Sequence, residues 1–277
     1  MSGDSERALF ERARAGDRGA FGQLYETVAR PLALFLYRLI AMRQDAEDLA
    51  QQTAVEAIET IRDAPAASSF RAWVFGLAAK AALDHLRGRE QWHPDAQIRV
   101  AQKTASDGAI GRRLLKLHGT RLHTTYDIRE HIDFCFTCMG RCLPPHEQAA
   151  LLLVDLHGFP VAEAAQTLGV TAPAVEFRLD QARAALAGQF EERCTLVNKN
   201  GVCSQCAALD TLFHKGYRHT EQALFQLSVQ PQPTPRERAA TLGARLAIVR
   251  SVDPLRGDGA RLHDALMAMT RKVNGYR

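Results

Sequence analysis

The sequence predicts an all-α protein, and two observations carry that prediction. Apolar residues recur at helical spacing along most of the chain, whereas the alternating pattern of a half-buried strand between turn signals is absent. Of the 277 residues, 46% are hydrophobic, so real cores can form. This length suits two domains with a linker and an appendage.

Helical periodicity predicts three helices in the N-terminal part of the chain. Residues 5–15 and 18–42 form the first two, and the second should be bent or broken at Pro31, which cannot donate a backbone hydrogen bond. The stretch DAEDLAQQTAVEAIETI forms the third, with one stripe that should be buried: Ala46, Leu49, Ala50, Thr53, Ala54, Ala57, Ile58 and Ile61. Acidic and amide side chains remain outside that stripe.

A fourth helix over residues 69–87 precedes a linker. Its apolar face should consist of Phe70, Trp73, Val74, Leu77 and Ala81, and Trp73 is expected in the core. From Gly88 to Tyr126 the periodicity fades, which indicates an interdomain linker. The chain has a net charge of only +4, but residues 71–121 hold ten Lys or Arg against four Asp or Glu. Such a basic segment favours a polyanionic partner, although a solvated linker can look the same.

Helical spacing returns at Asp127 and continues to about Phe190, with Pro144 and Pro145 at a helix start. The remaining tail begins with a turn-rich cysteine stretch and ends in two predicted helices, 236–251 and 259–273. We therefore divide the chain into a first domain (1–92), a basic linker (93–126), a second domain (127–190) and a mostly helical C-terminal extension (191–277).

The second domain contains a predicted helix-turn-helix between Val161 and Arg183. Ala165 allows the two helices to cross closely, and Gly169 permits a positive φ at the turn. Thr171 can cap the second helix, whose Val175 and Leu179 should be buried. In a DNA-binding version the residues facing bases and phosphates would be Thr171, Glu176, Arg178, Gln181 and Arg183. A helical hairpin without a DNA role explains the pattern equally well.

A wider stretch, LPPHEQAALLLVDLHGFPVAEAAQTLGVTAPAVEFRLDQARAAL, resembles the domain of sigma-70 family factors that binds the minus-thirty-five promoter element. The shared features are a Leu-Pro start, a Gly-led loop and a recognition helix that ends in basic residues. The sequence departs from the family at Glu176 and Asp180, where basic or neutral residues are more usual. The resemblance covers residues 143–186 in this part of the chain.

Three further motifs resemble region two of the extracytoplasmic-function sigma factors, in the same order and spacing: GDRGAFGQLY, DAEDLAQQT and FRAWVFGLAAKAALDHLRGR. The resemblance covers residues 8–89. It implies that an acidic helix docks on the coiled coil of the RNA polymerase clamp through Asp45, Glu47, Asp48 and Gln51. A solvated acidic helix face is the plain alternative for these side chains.

The same resemblance implies that the helix from Phe70 reads the minus-ten element, with residues 63–69 holding an extruded base. Rings and cations together suit melted DNA, because bases stack on aromatic side chains while Arg and Lys follow the phosphates. The expected strand contacts are Arg71, Lys80, Asp84, Arg87 and Arg89. Lys80 stands where the family commonly has Asn.

The stretch FCFTCMGRC holds three of the six cysteines of the chain, Cys135, Cys138 and Cys142, on one helical face. Burial alone explains such a face. With His131, however, the first two form a His-x3-Cys-x2-Cys array that a helix could direct at one metal ion, and that array resembles the signature of zinc-binding anti-sigma factors. A thiol–disulfide switch is a third interpretation.

The C-terminal extension offers a second cysteine pair after a turn, and one candidate metal site combines the two pairs: Cys135, Cys138, Cys203 and Cys206. His131 and Cys194 compete for membership. Soft thiolate ligands would accept zinc, copper(I) or cadmium. If this site joined the linker helix to the extension, metal binding or loss would change how the two DNA-reading domains separate.

The sequence thus predicts a sigma factor, not an enzyme, that brings core RNA polymerase to promoter DNA. The C-terminal extension is expected to regulate it through a Cys/His metal or redox site, and an anti-sigma factor or self-inhibition by the extension would fit this regulation. The alternative is a helix-turn-helix regulator that binds duplex DNA without polymerase, which would leave DAEDLAQQT without a role.

A different class, an oxidoreductase that uses a Cys-x2-Cys pair, would require a βαβ context that the pattern does not contain.

The longest apolar run, residues 31–42, is interrupted by Arg38, so no membrane span is expected. The charged N-terminal residues lack the features of a secretory signal. We therefore expect a cytoplasmic location.

Overall fold

The computed structural model describes residues 3–65, 68–106, 128–194, 197–198, 201, 234–256 and 259–276. These residues form eleven α-helices: α1 (Gly3–Arg14), α2 (Arg18–Ile40), α3 (Arg43–Thr60), α4 (Phe70–Leu86), α5 (Ala96–Ser106), α6 (Ile128–Gly140), α7 (Pro145–Leu151), α8 (Val161–Leu168), α9 (Ala172–Arg193), α10 (Pro235–Ser251) and α11 (Gly259–Asn274). A 3-10 turn, Ile61–Asp63, follows α3, and a π-helical turn, Leu152–Leu156, continues α7. Every regular element in these ranges is helical, so the all-α prediction is confirmed.

The helices assemble into two compact units, and each unit is built from two separate stretches of chain. The first consists of Met1–Gly88 and Pro145–Leu179, and the second of Arg89–Pro144 and Asp180–Arg277. The four consecutive domains of the sequence analysis are therefore not the compact units of the structure. They remain a prediction about sequence regions.

Aromatic packing holds the first unit together. The ring of Phe70 meets the rings of Phe10 and Phe21 edge-on, at centroid distances of 5.6 and 5.9 Å. Two helices begin with side-chain caps, because Asp17 accepts from the Ala20 N–H and Ser69 accepts from the Ala72 N–H, each at 3.0 Å. The positions at which α2 and α4 begin are thus fixed by local hydrogen bonds.

The structure changes two details of the predicted helices. Pro31 does not break α2, which runs from Arg18 to Ile40 and buries Leu32 and Leu36 beside the proline. Ile58, expected on the buried stripe of α3, is 41% exposed. Only a narrow stripe of α3 is fully covered, and it ends at Ala57.

The second unit joins the linker region to the C-terminal extension. Helix α11 packs against α5 and α6, and α10 packs against α6. Helix α5 lies inside the segment that the sequence analysis treated as a linker without periodicity, so that segment contains regular structure. No helix within the described ranges is long and apolar enough to cross a membrane.

Candidate functional surfaces

The acidic helix α3 presents most of its predicted docking residues to solvent. Glu47, Asp48 and Gln51 are exposed. Asp45 is half-buried, and its Oδ2 lies 2.9 Å from Nε2 of His85 on α4. Three of the four residues predicted to dock on polymerase are therefore accessible to solvent.

Two apolar side chains extend this acidic surface beyond the predicted set. Val55 is 55% exposed, and Ile58 is exposed as well. Val55 lies in a shallow depression with the carboxylate side chains of Asp48, Glu56 and Glu59 around it. Exposed apolar side chains with an acidic rim suit a partner helix that carries both apolar and basic residues. Val55 lies outside the predicted docking set, which contains only acidic and amide side chains.

The C-terminal half of α4 carries exposed charged side chains. Lys80 and Asp84 on the helix are exposed, as are Arg87 at its end and Arg89 two residues further along the chain. The guanidinium of Arg87 lies 2.6 Å from Oδ1 of Asp84, and its side chain is 82% exposed. Each of these four side chains is therefore accessible to solvent, and their contact with a DNA strand remains a prediction.

Arg71, the fifth predicted strand contact, is placed differently. Its Cζ lies 3.9 Å from the ring centroid of Phe159, and its guanidinium donates to the carbonyl oxygen of His157. Burial lowers the pKa of Arg71. In this structure Arg71 is thus engaged by the loop before α8 and is not displayed on the α4 surface.

Helix α8 packs directly on the N-terminal half of α4. The Ser69 hydroxyl donates to Oε1 of Glu163 at 2.5 Å. The Thr167 hydroxyl oxygen lies 2.9 Å from the carbonyl oxygen of Glu163 and 3.3 Å from that of Ala72. A Cβ atom added at Gly76 would lie 3.2 Å from the carbonyl oxygen of Thr167. The two helices therefore approach each other closely at a position without a side chain.

The helix-turn-helix geometry agrees with the sequence analysis. Gly169 has a φ of 63° and ends α8, as expected for the turn glycine. Thr171 accepts from the Ala174 N–H at 3.4 Å, so it caps α9. Val175 is 0% and Leu179 2% exposed. These features confirm the predicted turn, the predicted cap and the predicted burial of Val175 and Leu179.

The predicted DNA-facing residues of α9 differ in exposure. Thr171, Glu176 and Gln181 are exposed, while Arg178 and Arg183 are half-buried. Phe177, which the sequence analysis did not include, is 64% exposed. The sequence could have indicated this exposure, because Phe177 directly follows Glu176 on the predicted recognition helix.

The cysteines on α6 are mostly buried. Cys138 is 0% exposed and Cys135 is 8% exposed. Burial raises the pKa of the thiol of Cys142, two residues after the end of the helix, to about 12. Within the described ranges no three His, Cys, Asp or Glu side chains are grouped so that they could hold a metal ion. His131, Cys135 and Cys138 are thus not grouped as one candidate cluster within these ranges, and the four-cysteine site remains a prediction. Cys203 and Cys206 lie outside the described residues.

Cys194 lies beside a buried cation. The guanidinium of Arg245 on α10, fully buried, approaches the Cys194 sulfur at 3.6 Å. Cζ of Arg245 also stacks on the ring of Phe190, 3.8 Å from its centroid. The end of α9 is thereby joined to the C-terminal extension.

The C-terminal extension also contacts the start of the linker region. The rings of Trp92 and Tyr276 stack with centroids 5.2 Å apart and planes at 6°. The Tyr276 hydroxyl accepts from the His93 N–H at 2.5 Å, and Asn274 Nδ2 donates to the carbonyl oxygen of Ala96 at 3.1 Å. These contacts fasten the last residues of the described chain to the stretch just before and within α5.

Comparison with protein families gives two matches in the order of the sequence analysis. Residues 24–92 match the family model of sigma-70 region 2, and residues 134–186 match that of sigma-70 region 4. The second match begins at Phe134, so it includes the cysteine-bearing part of α6, which the resemblance drawn from the sequence had left out. Both matches end before the C-terminal extension.

Several of the curated relatives are extracytoplasmic-function sigma factors. SigG of Mycobacterium tuberculosis (strain H37Rv) is 28% identical over 178 residues, which cover 61% of this chain and 48% of SigG. SigM of the same strain is 28% identical over 190 residues, covering 66% of this chain and 83% of SigM. The chain thus spans about half the length of SigG.

Among solved structures, CnrH in complex with the cytosolic domain of CnrY is similar, with a TM-score of 0.48 and 24% identity. The similarity covers 67% of this chain and 97% of that chain.

Proposed function

We propose that this chain is a transcription initiation factor of the extracytoplasmic-function group in the sigma-70 family. The family matches and the curated relatives support this membership. It binds core RNA polymerase and directs it to promoter DNA. The observation that carries the proposal is the presence of regions 2 and 4 in one chain and in this order. A helix-turn-helix regulator acting without polymerase is not favoured, because region 2 would then have no partner.

The surfaces of the first unit support this function. The exposed acidic and apolar residues of α3 suit a basic amphipathic partner, which we assign to core polymerase. The exposed cations on the C-terminal half of α4 suit a DNA strand, since phosphate contacts supply much of the affinity in such complexes. Polymerase and DNA thus have separate surfaces.

The test of the docking surface is the substitution Asp48→Arg, which reverses a charge on the exposed face of α3. We expect the affinity for core polymerase to fall at least about tenfold, because a like charge would then meet a basic partner. Glu26→Arg makes the same charge change at an exposed position of α2 and serves as the control. Both variants should keep the native circular dichroism spectrum.

Binding is measured by fluorescence anisotropy of the labelled chain with purified core enzyme. Undiminished binding by Asp48→Arg would contradict the docking assignment. A native chain that fails to bind core polymerase but selects duplex DNA from a random library would instead support the helix-turn-helix regulator.

The C-terminal extension, in this proposal, regulates the factor by restraining the linker region. Supporting this role, α10 and α11 pack on α6 and α5, and Tyr276 covers Trp92. A sigma factor whose two DNA-reading regions must reach separate promoter elements needs a linker that can extend. Contacts that hold the start of that linker would oppose such extension.

The signal for this regulation is proposed to act on cysteines. Cys135, Cys138, Cys203 and Cys206 would supply thiolates for zinc, copper(I) or cadmium, and Cys194 is a further candidate beside the Arg245 guanidinium. Metal bound to thiolates of both α6 and the extension would link the two, and its loss would loosen them.

The experiment is elemental analysis by mass spectrometry of anaerobically purified protein, combined with run-off transcription before and after chelation. We expect stoichiometric metal whose removal changes transcription, and a Cys203→Ser/Cys206→Ser variant that lacks the metal. Metal-free protein with unchanged transcription would contradict the metal site. An oxidant-dependent change in the same metal-free protein would point to a thiol switch instead.

A further inference from the structure

One stripe of α4 and its two ends carries both the contacts to α8 and two of the five predicted contacts to the minus-ten strand, Lys80 and Arg87. Ser69, Gly76, Lys80 and Arg87 lie at positions i, i+7, i+11 and i+18, which fall on the same side of a helix with 3.6 residues per turn. Helix α8 covers the first half of this stripe, at Ser69 and Gly76. Lys80 and Arg87, on the second half, are exposed.

The covered half has no room for a second occupant. Because a single carbon added at Gly76 would already lie 3.2 Å from the Thr167 carbonyl oxygen, a nucleotide cannot pass between the helices. The Thr167 side chain is buried, and its hydroxyl contacts the α4 backbone. A strand that followed the whole stripe would have to displace α8.

The carboxylate of Glu163 lies beside the start of α4, where side chains can donate hydrogen bonds. Ser69 donates to it, and Arg71 is attracted to it electrostatically. A DNA phosphate has the same sign of charge and needs the same kind of donors, which helix N-termini and arginines supply. The carboxylate therefore competes chemically with a strand phosphate.

The loop before α8 also packs against α4. The Arg71 guanidinium stacks on Phe159 and bonds to the His157 carbonyl, and the rings of Phe75 and Phe159 lie 5.0 Å apart. One of the five charged side chains predicted for strand binding, Arg71, is thus held by residues of the loop before α8.

We propose that α8 is a self-inhibitory latch on the minus-ten surface, with Glu163 in the position that a phosphate of the non-template strand takes when the latch opens. This inference rests on the proposed sigma function. The closed latch leaves the exposed α3 face accessible, so polymerase can bind before DNA does. The minus-ten strand can occupy the whole α4 stripe only after α8 has left it.

The first test compares Glu163→Lys with Glu26→Lys, which make the same change in net charge, the latter at an exposed position of α2. The probe is a fluorescein-labelled single-stranded oligonucleotide carrying the minus-ten element of a promoter selected from a random library by the native chain with core polymerase. A scrambled oligonucleotide measures non-specific binding. All affinities are measured on the free chain, without polymerase.

We expect Glu163→Lys to bind the selected strand about tenfold more tightly than the native chain, because a hydrogen bond to a charged group is lost from the closed state. The affinity for the scrambled strand should rise no more in Glu163→Lys than it does in Glu26→Lys. Equal gains for both strands, or no gain for the selected strand, would overturn the latch.

The second test closes the latch covalently. In a Ser69→Cys/Glu163→Cys variant, a short bis-maleimide joins α4 to α8, and peptide mass spectrometry verifies which cysteines have reacted. We expect the crosslinked chain to bind core polymerase as the same variant does before crosslinking, but to melt the selected promoter at least about tenfold less, as measured by permanganate reactivity.

A Ser69→Cys variant capped with N-ethylmaleimide carries a similar adduct without the tether. If it loses melting as completely as the crosslinked chain, or if the crosslinked chain melts DNA normally, the latch is overturned. Failure of the proposed function would look different, because the native chain itself would then not bind core polymerase.

Discussion

At the scale of single residues, His157 shows how packing sets the charge of a side chain. Its ring meets Phe35 and Phe75 at centroid distances of 5.9 and 5.5 Å. Burial first, and then the positive charges of Arg38 and Arg71, lower the pKa of His157 to about 3. The imidazole is therefore neutral in the folded protein at any pH near neutrality.

This lowered pKa predicts a pH-dependent stability. Below about pH 6.5 the unfolded chain binds a proton at His157 that the folded chain rejects, so stability is present above that pH and is lost as the pH falls toward 3. Between pH 7.5 and 5.0 the loss attributable to this residue should be about 1–2 kcal/mol. Urea unfolding of the native chain and of His157→Phe at both values measures it.

The phenylalanine keeps a ring in the same packing site but cannot titrate. The difference in unfolding free energy between the two pH values should therefore be smaller in His157→Phe than in the native chain. An identical pH dependence of the two proteins would show that the neutral imidazole contributes nothing to it.

At the scale of single elements, the turn of the helix-turn-helix depends on one backbone conformation. Gly169 adopts a φ of 63°, which costs a residue with a side chain roughly 1–2 kcal/mol. Gly169→Ala should therefore lower the unfolding free energy of the first unit by about 1 kcal/mol. Its control is Gly22→Ala in α2, where an added Cβ meets nothing within 4 Å.

Gly22→Ala should instead raise the stability, by up to about 1 kcal/mol, because alanine favours a helix interior more than glycine does. Chemical denaturation followed by circular dichroism compares the two variants. The expectation fails if both alanines shift the unfolding midpoint in the same direction.

The exposed end of α4 leads to a prediction about salt. Arg87→Ala should weaken promoter binding by the holoenzyme and reduce the slope of log affinity against log salt by about 1, as expected for one lost phosphate contact. Its ion pair with Asp84 is exposed and contributes little to the fold. Arg18→Ala removes an exposed cation from α2 and should leave the slope unchanged. A salt slope that Arg87→Ala does not alter would remove this residue from the DNA surface.

At the scale of the whole molecule, the second unit joins the end of the chain to the linker region. The stacked rings of Trp92 and Tyr276 report on this junction, and the chain has only two tryptophans. In a Trp73→Phe background, Trp92 is therefore the sole tryptophan. Its emission should shift to longer wavelength, with stronger acrylamide quenching, when Tyr276→Ala removes the stacking ring.

Tyr276→Phe is the matched control for the stack, since it keeps the ring and loses only the hydroxyl that accepts from the His93 N–H. The emission of Trp92 should then stay close to that of the native chain. If Tyr276→Ala also leaves the emission unchanged, the extension does not shield this residue in solution.

The features that the sequence predicted correctly are those that depend on neighbours along the chain. Helix spacing, the Thr171 cap and the conformation of Gly169 are all set within a few residues, so periodicity and residue type sufficed to predict them. The acidic face of α3 and the charged end of α4 followed from the same helical spacing. The resemblance to sigma-70 regions also depends on continuous motifs, and the family matches agree with it.

Only the tertiary structure decided which distant residues meet. Ser69 and Glu163 lie 94 positions apart, and His93 and Tyr276 lie 183 apart, so no local pattern joins them. The stacking of Arg71 on Phe159 and the division into two units, each built from two stretches, have the same origin. A helix pattern states which side of each helix is apolar, but the choice of partner depends on the shapes and hydrogen bonds of surfaces that meet only after folding.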